Sequence, residues 1–238
     1  MSRPLAVGAG LNVIILLTGP VEQGPLAARL RSCDPAVVVH PAATLGELLA
    51  IDGPVLEQAR LVAFATPVIV PPAVLEKLGY RAYNFHPGPP EFPGLSPAQY
   101  AVYRGARQFG VTLHEMAAKV DAGPIVMARR FPLPAGISVT VLEQQSYGAL
   151  AQLFWDFAPA LVGSDAPLPH SADAWSGKKT SRRSYETLCA ISPDIPRDEL
   201  DRRISAFGTG QFGLIPTVTL HGHRFRLVPE GEETPGAP

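Results

Sequence analysis

Short apolar runs alternate with segments of helical composition along the first two thirds of the chain, and this alternation limits the fold more than any other feature. Most runs are rich in β-branched or aromatic residues, as is typical of strands buried on both faces. Strands that alternate with helices indicate βαβ units. The sequence therefore predicts an α/β fold with a mostly parallel sheet. The predicted strands lie at 12–17, 36–39, 61–65, 81–86, 110–116 and 124–131.

The predicted sheet is Rossmann-like, with helices on both faces, and it belongs to a main domain at residues 1–163. Composition becomes polar after this point, so residues 164–184 are predicted to form a linker. A small C-terminal appendage follows at 185–238. It is predicted to contain a helix over 197–207 and a hairpin that turns at 221–223.

The charge balance limits the partners of this chain. Its 238 residues include 20 Lys and Arg against 21 Asp and Glu, giving a formal net charge of −1. This argues against nucleic-acid binding, which needs many phosphate contacts from a basic surface. A small basic cluster is interpreted as a solvated segment, with a clamp for a phosphorylated or nucleotide-linked substrate as the alternative. Its members are Lys178, Lys179, Arg182 and Arg183.

Neither a membrane segment nor a metal site is predicted. No run reaches the roughly 18 apolar residues of a membrane span. Asn12 interrupts the first run, which reads better as a buried strand than as a signal peptide. The two cysteines, Cys33 and Cys189, are too few for a Cys-rich zinc site. We therefore expect a cytoplasmic protein without a metal, which binds no membrane.

The fourth predicted strand ends in two polar residues that share one face. Asn84 and His86 are two positions apart, so they point the same way, while Phe85 faces the opposite layer. Pro87 cannot continue a central ladder, so the strand should end at His86. Ligands of open α/β sheets bind outside the carboxyl ends of the strands. The pair is therefore a candidate site.

Asp121 is a third candidate, because it stands at another strand–loop junction, directly before Ala122 and Gly123. A carboxylate near an imidazole orients the ring and favours its protonated form. An amide and a protonated imidazole can stabilise negative charge on the oxygen of an acyl group under attack. Spacing alone leaves an alternative open, because both segments are also typical of structural turns.

Other polar residues are given structural interpretations. Ser96 precedes Pro97 and is expected to cap a helix that runs to about Arg104. The histidines at 221 and 223 have no third ligand nearby, so a hairpin turn is favoured over a metal site. His40 and His114 lie in or beside apolar strands and are expected to be structural.

Several motifs in order resemble the formyltransferase family that uses 10-formyltetrahydrofolate. They are Asn-Phe-His-Pro at 84–87 with the Pro-rich loop that ends at 94, Gly-Val-Thr-Leu-His at 110–114, and Val-Asp-Ala-Gly-Pro-Ile at 120–125. The family includes glycinamide ribonucleotide, methionyl-tRNA and amino-sugar formyltransferases. The resemblance is strong over about 60–130 and weaker over 12–60. No single motif is specific to this family, but the combination of motifs in this order is.

The resemblance implies residue roles. Asn84, His86 and Asp121 match the catalytic Asn, His and Asp of the family. The walls of the folate pocket are implied at 68–70 and 117–121, namely Val68, Ile69, Val70, Ala117, Ala118, Val120 and Asp121. The loop Pro-Gly-Pro-Pro-Glu-Phe at 87–92 departs from the Ser-Leu-Leu-Pro of many relatives, which puts the shape of the amine pocket in doubt.

The activity implied is N-formyl transfer from 10-formyltetrahydrofolate, the formyl donor, to a primary amine of a small molecule. Residues 201–207 and the predicted hairpin resemble the appendage of amino-sugar and tRNA formyltransferases, which favours a nucleotide-linked sugar. A formyltetrahydrofolate hydrolase with the same three residues is the first alternative. The start of the chain, close to the first strand, counts against it, since such hydrolases carry an N-terminal regulatory domain. A non-catalytic folate-binding module is the second alternative. A homodimer is compatible with the sequence.

Overall fold

A six-stranded mixed sheet forms the centre of the fold in the computed structural model, which describes residues 11–228. The strand order is β2-β1-β3-β4-β5-β6, and the first four strands in this order are parallel. β5 runs antiparallel to β4. The predicted α/β fold with a mostly parallel sheet is confirmed. The strands are β1 Val13–Leu17, β2 Val38–Ala42, β3 Ala59–Phe64, β4 Tyr83–His86, β5 Gln108–Glu115 and β6 Ile125–Pro132.

The described part of the chain contains eight α-helices. The first is longer than its composition predicts, because residues 25–32 alone read as a helix. It begins at Pro20, where proline suits the first helical position. The helices are α1 Pro20–Cys33, α2 Leu45–Leu49, α3 Gly53–Leu56, α4 Pro72–Leu75, α5 Pro97–Tyr103, α6 Val139–Val162, α7 Arg182–Cys189 and α8 Arg197–Phe207.

Strand β2 begins and ends later than its apolar run at 36–39 indicates. Its last residues include Pro41. The predicted strand ends at residue 39, and proline lacks the N–H that a central ladder needs. The structure places β2 at the edge of the sheet, beside β1 only. An edge strand tolerates proline because the missing donor faces away from the sheet.

Apolar clusters cover both faces of the sheet, as β1 shows most directly. Ile14 and Leu16 pack into one cluster with Phe154 of α6, whereas Ile15 and Leu17 pack into another with Leu48 of α2. Alternate residues of a strand point to opposite faces, so a strand covered on both sides must be apolar throughout. This burial explains why β1 reads as a continuous run.

Contacts between Cα atoms divide the chain into two compact units. Among the described residues, the first unit contains 11–90, 110–130 and 146–175, and the second contains the intervening segments with residues 176–228. The predicted division at 163 and 184 stays a prediction, and its outermost residues, 1–10 and 229–238, lie outside the described residues. Residues 164–179 contain neither helix nor strand.

The second unit contains a three-stranded sheet in the order β7-β8-β9, of which β7 is Ala190–Ile191. The predicted hairpin is present as β8 Thr217–Leu220 and β9 His223–Arg226. Its two turn residues, His221 and Gly222, have φ angles of 49° and 81°, and Leu220 pairs with His223. A two-residue turn with two positive φ angles suits the twist of a hairpin.

Two local features of the second unit differ from the sequence predictions. Helix α7 lies partly in the predicted linker, where Ser181 and Ser184 form a reciprocal capping box. Ser96 occupies the N-cap position of α5, but it has a φ of 56° and makes no capping hydrogen bond. Its hydroxyl instead donates to Gln211 Oε1 at 2.8 Å, so the predicted side-chain cap is wrong.

No helix within residues 11–228 is both long enough and apolar enough to span a membrane.

Candidate active site

Strand β4 places two polar side chains at the carboxyl end of the sheet. The strand ends at His86, directly before Pro87, as the sequence predicts. Phe85 is fully buried in the apolar cluster on one face, so Asn84 and His86 point to the other face. The side chain of His86 is only 8% exposed, which keeps it largely out of water.

Asp121 reaches the same face from the loop between β5 and β6. Its φ angle of 46° is in the left-handed region, which Asp tolerates better than most residues. A tight approach follows at Gly123, where a Cβ atom would lie 1.9 Å from the carbonyl oxygen of Glu115. The N–H of Glu115 also donates to the carbonyl of Pro124. The loop therefore closes tightly, and this closure fixes the backbone that carries Asp121.

The three predicted residues come together in the first unit. His86 Nδ1 lies 3.8 Å from Asp121 Oδ2, and both side chains are nearly inaccessible to solvent. The other carboxylate oxygen, Oδ1, lies 3.5 Å from His114 Nε2. The carboxylate is thus held between two imidazole rings. A distance of 3.8 Å is longer than a hydrogen bond, but catalytic hydrogen bonds often shorten only when substrate binds.

His114 also belongs to this cluster, although its position in an apolar strand predicts a structural role. The antiparallel register of β4 and β5 places it directly opposite Asn84. Asn84 Nδ2 lies 3.1 Å from His114 Nε2, and His114 Nδ1 lies 2.9 Å from the carbonyl oxygen of Glu115. A carbonyl oxygen only accepts, so Nδ1 carries a proton. In the neutral ring Nε2 is then the acceptor, and the Asn84 amide donates to it.

This register explains why the sequence does not predict that His114 belongs to the site. The alternation of β5 shows that Thr112 and His114 share a face, but it does not show which strand lies beside them. The parallel pattern of the earlier strands gives no sign that β5 runs in the opposite direction. Cross-strand partners depend on that direction, so only the structure pairs His114 with Asn84.

Trp175 is a second residue of the cluster that the sequence did not indicate, because it lies in the predicted linker. Its ring contacts His114 edge-on, with centroids 5.0 Å apart and planes at 89°, and lies 6.0 Å from the ring of His86. Its indole Nε1 donates to the carbonyl oxygen of Gly123 at 2.8 Å. Trp175 therefore binds the Asp121 loop and covers both imidazoles with an apolar surface.

Side-chain hydroxyls fix the backbone after β4. Ser146 of α6 donates to the carbonyl oxygen of Pro87 at 2.9 Å. Thr112, which is opposite His86 in the ladder, donates to the carbonyl oxygen of Gly88 at 2.7 Å. Both bonds use carbonyls that follow directly after His86. They hold the exit of the strand, and with it the histidine, in one position.

The residues implied as folate-pocket walls lie in two places. Val70 is buried in an apolar cluster, and Ile69 beside it is 67% exposed. Ala117 and Ala118 line a cavity of about 520 Å³, together with Arg81 and Glu115 near the amino end of β4. The cavity is not lined by Asn84, His86, Asp121, Val120 or the segment 68–70.

The small basic cluster of the sequence analysis lies in the second unit. Arg182 forms an ion pair with Glu186 one turn along α7, and the side chain of Arg183, the next residue, is exposed. Within residues 11–228, His, Cys, Asp and Glu side chains form no group of three that could hold a metal ion.

Comparison with known proteins points to one family. Residues 57–154 match the family model described as formyl transferase. A methionyl-tRNA formyltransferase of Geobacillus thermodenitrificans is 31% identical over 135 residues, which are 56% of this chain and 42% of that relative. The chain therefore matches less than half of the length of this relative.

Solved structures show the fold. A sugar N-formyltransferase from a Shewanella species is similar with a TM-score of 0.73 and 16% identity, over 90% of this chain and 95% of that one. An N-formyltransferase from Helicobacter canadensis, solved in complex with folinic acid and dTDP-3-aminofucose, has a TM-score of 0.62 and 15% identity, over 89% and 85%. The family match over residues 57–154 confirms the resemblance inferred from the motifs, and the solved structures show that this chain has the fold of these N-formyltransferases.

Proposed function

We propose that this protein transfers a formyl group from 10-formyltetrahydrofolate to the primary amine of a small molecule. One observation carries the proposal: an amide and an imidazole of β4 and a carboxylate of the loop before β6 converge on one face of the sheet, with His86 Nδ1 3.8 Å from Asp121 Oδ2. These donors and this acceptor fit attack on an acyl carbon, which needs stabilisation of an oxyanion and a place for a proton.

The reaction breaks one C–N bond and forms another. The amine nitrogen attacks the formyl carbon, and the carbonyl oxygen gains negative charge in the tetrahedral intermediate. Asn84 and His86 donate hydrogen bonds to that oxygen. The bond from carbon to N10 of the folate then breaks, and the proton lost by the amine passes to N10. Asp121 orients His86 and accepts the proton on its way, directly or through a water.

The contact with His114 prepares Asn84 for this role. The amide nitrogen has two hydrogens, and one of them is directed to His114 Nε2. The other hydrogen remains for the substrate oxygen. A donor that is fixed before the reaction needs no reorganisation when charge develops, and this is what makes such donors effective.

A nucleotide-linked amino sugar is the acceptor that we propose. The support is an analogy with the Helicobacter canadensis enzyme, whose structure contains folinic acid and dTDP-3-aminofucose. The C-terminal helix and hairpin, α8, β8 and β9, are also of the kind that the sequence comparison related to amino-sugar and tRNA formyltransferases.

The test measures turnover of 10-formyltetrahydrofolate with and without candidate amines. The proposal expects tetrahydrofolate and a formamide in equal amounts, and only when a nucleotide-linked amino sugar is present. Turnover without any amine would instead identify a hydrolase, and binding without turnover would identify a folate-binding module. Turnover with simple amines but not with nucleotide-linked sugars would overturn the acceptor while leaving the transfer reaction in place.

A further inference from the structure

All the side chains on one face of the C-terminal hairpin carry either a hydroxyl or a guanidinium group. In the register of β8 and β9, Thr217 is opposite Arg226 and Thr219 is opposite Arg224. Residues two apart on a strand share a face, and direct cross-strand partners lie on the same side of the sheet. Two threonines and two arginines therefore form a square on one face. Val218 and Phe225 lie on the other face.

This face lines a cavity of about 730 Å³ in the second unit. Leu214 and Ile215 form an apolar part of the wall. The volume is in the range of small-molecule pockets, about 300–1,000 Å³. A pocket with one apolar wall and a few convergent polar groups has the general character of a ligand site.

Within residues 11–228, the guanidiniums of Arg224 and Arg226 have no partner that balances their charge. Neither Arg224 nor Arg226 makes a side-chain hydrogen bond or ion pair with any residue in the range 11–228. The one carboxylate on the pocket wall, Glu186, already binds Arg182 at 3.1 Å. At roughly 3.3 Å per strand residue, the two arginine Cα atoms are about 7 Å apart, so like charges lie side by side.

The hydroxyls are placed to assist an anion. Thr217 Oγ1 donates to the carbonyl oxygen of Ile215 at 3.0 Å, which fixes its orientation. Thr219 has no side-chain hydrogen bond to the residues that the structure describes, so its hydroxyl proton is available to a ligand. Arginine presents several N–H donors in a planar fork, which matches the oxygens of a phosphate group.

We propose that this pocket binds the phosphate or diphosphate group of a small molecule. Arg224 and Arg226 bind the anionic oxygens, Thr219 donates one further hydrogen bond, and the apolar wall accepts the carbon part of the ligand. None of these residues belongs to the formyl-transfer site, so the proposal does not depend on the proposed function. An extended nucleic acid is a different class of ligand, and the pocket offers it only two unpaired cations.

The test titrates the full-length protein by isothermal calorimetry at about 0.15 M salt. Inorganic pyrophosphate and uridine diphosphate are the probes, because their comparison separates recognition of the phosphates from recognition of the attached nucleoside. We expect at least one probe to bind with a Kd of about 1 mM or tighter. Hydrogen–deuterium exchange should show protection by that probe in peptides covering 182–191 and 214–226.

Variants assign the binding to this face. Arg224→Gln together with Arg226→Gln should weaken binding tenfold or more, and Thr219→Val, which keeps the shape but removes the hydroxyl, should weaken it several-fold. Arg197→Gln is the matched control, because Arg197 is an exposed arginine of the same unit whose only ion pair among the described residues is with Asp201. It should leave the Kd unchanged.

Three results would overturn the proposal. The first is binding of neither probe to the wild-type protein. The second is equal binding by the double variant, or a lack of protection in the peptides covering 182–191 and 214–226. The third is tighter binding of a 15-nucleotide single-stranded oligonucleotide than of either probe, lost in the double variant, which would assign this face to nucleic acid instead.

Discussion

Asn84 and His114 are direct partners across the β4–β5 ladder, with the amide nitrogen 3.1 Å from Nε2 of the ring. The same ring is fixed on its other side by the carbonyl oxygen of Glu115. Asn84 donates to His114, and His114 donates to the carbonyl oxygen of Glu115. One of the two amide hydrogens of Asn84 is therefore used, and the other remains for a substrate. The orientation of a proposed catalytic donor is therefore set by a residue on the neighbouring strand.

We expect the change His86→Ala to leave the protein folded and to lower formyl transfer by on the order of 10²-fold or more. The reason is the loss of one donor to the oxyanion. The measurement is kcat/KM for 10-formyltetrahydrofolate in the presence of the acceptor, with circular dichroism as the check on folding. His40→Ala on edge strand β2 is the control. Turnover at the wild-type rate in the His86 variant would remove this histidine from the mechanism.

We expect the change His114→Phe to lower kcat by about tenfold, because the Asn84 amide then loses a hydrogen bond worth about 1.4 kcal/mol in positioning. KM for the acceptor should change little, since the proposed role of His114 is to position Asn84. Steady-state kinetics with varied acceptor separate the two constants. A rise in KM with unchanged kcat would show that His114 acts in binding and not in orientation.

We expect the change Trp175→Phe to lower the free energy of unfolding by about 1–3 kcal/mol, because the carbonyl oxygen of Gly123 loses the indole donor. Phenylalanine keeps an apolar ring against the two histidines. In a chain of this size, 1 kcal/mol lowers Tm by about 2–4 °C, which differential scanning calorimetry can measure. Trp155→Phe, at a partly exposed tryptophan of α6, is the control. An unchanged Tm for Trp175→Phe would show that the hydrogen bond does not stabilise the loop.

Arg60 stabilises the end of α6 from within the sheet. It is fully buried on β3, where desolvation lowers the pKa of its guanidinium, and it donates to the carbonyl oxygens of Leu161 at 2.7 Å and Ala166 at 3.1 Å. The last carbonyls of a helix have no partner within the helix. We expect Arg60→Met to destabilise the protein by about 2–4 kcal/mol in urea unfolding, because these buried acceptors lose their donors. The exposed Arg31→Met should have little effect, and equal effects of the two changes would contradict this role.

The two cysteines should differ in reactivity. Burial raises the pKa of Cys189 to about 11, whereas Cys33 is partly exposed. Since the thiolate is the reactive form, only one thiol per chain should react rapidly with a disulfide reagent at about pH 8. The unfolded chain releases the Cys189 proton first, near pH 9, so the free energy of unfolding should fall between about pH 9 and pH 11. Cys189→Ala should show a smaller fall over this range. Rapid reaction of both thiols in the native protein would contradict the burial.

The fold was predictable where local patterns and burial agree. β1 and α8 lie within one residue of their predicted bounds, because the apolar run of β1 is buried on both faces and α8 is bounded by Pro196 and Gly208. Helix α7 was not predicted. Its polar composition resembles a linker, and the local pattern does not show that Tyr185 and Cys189 are buried in the apolar cluster of the second unit.

The sequence by itself determined the α/β class, the family resemblance and the placement of Asn84 and His86 on one face, because alternation along a strand is a local property of the chain. Tertiary structure decided which groups surround them. His114 depends on the antiparallel direction of β5, and Trp175 returns from a segment without helix or strand. Contacts between residues distant in sequence follow from packing and register, which no short segment of the chain specifies.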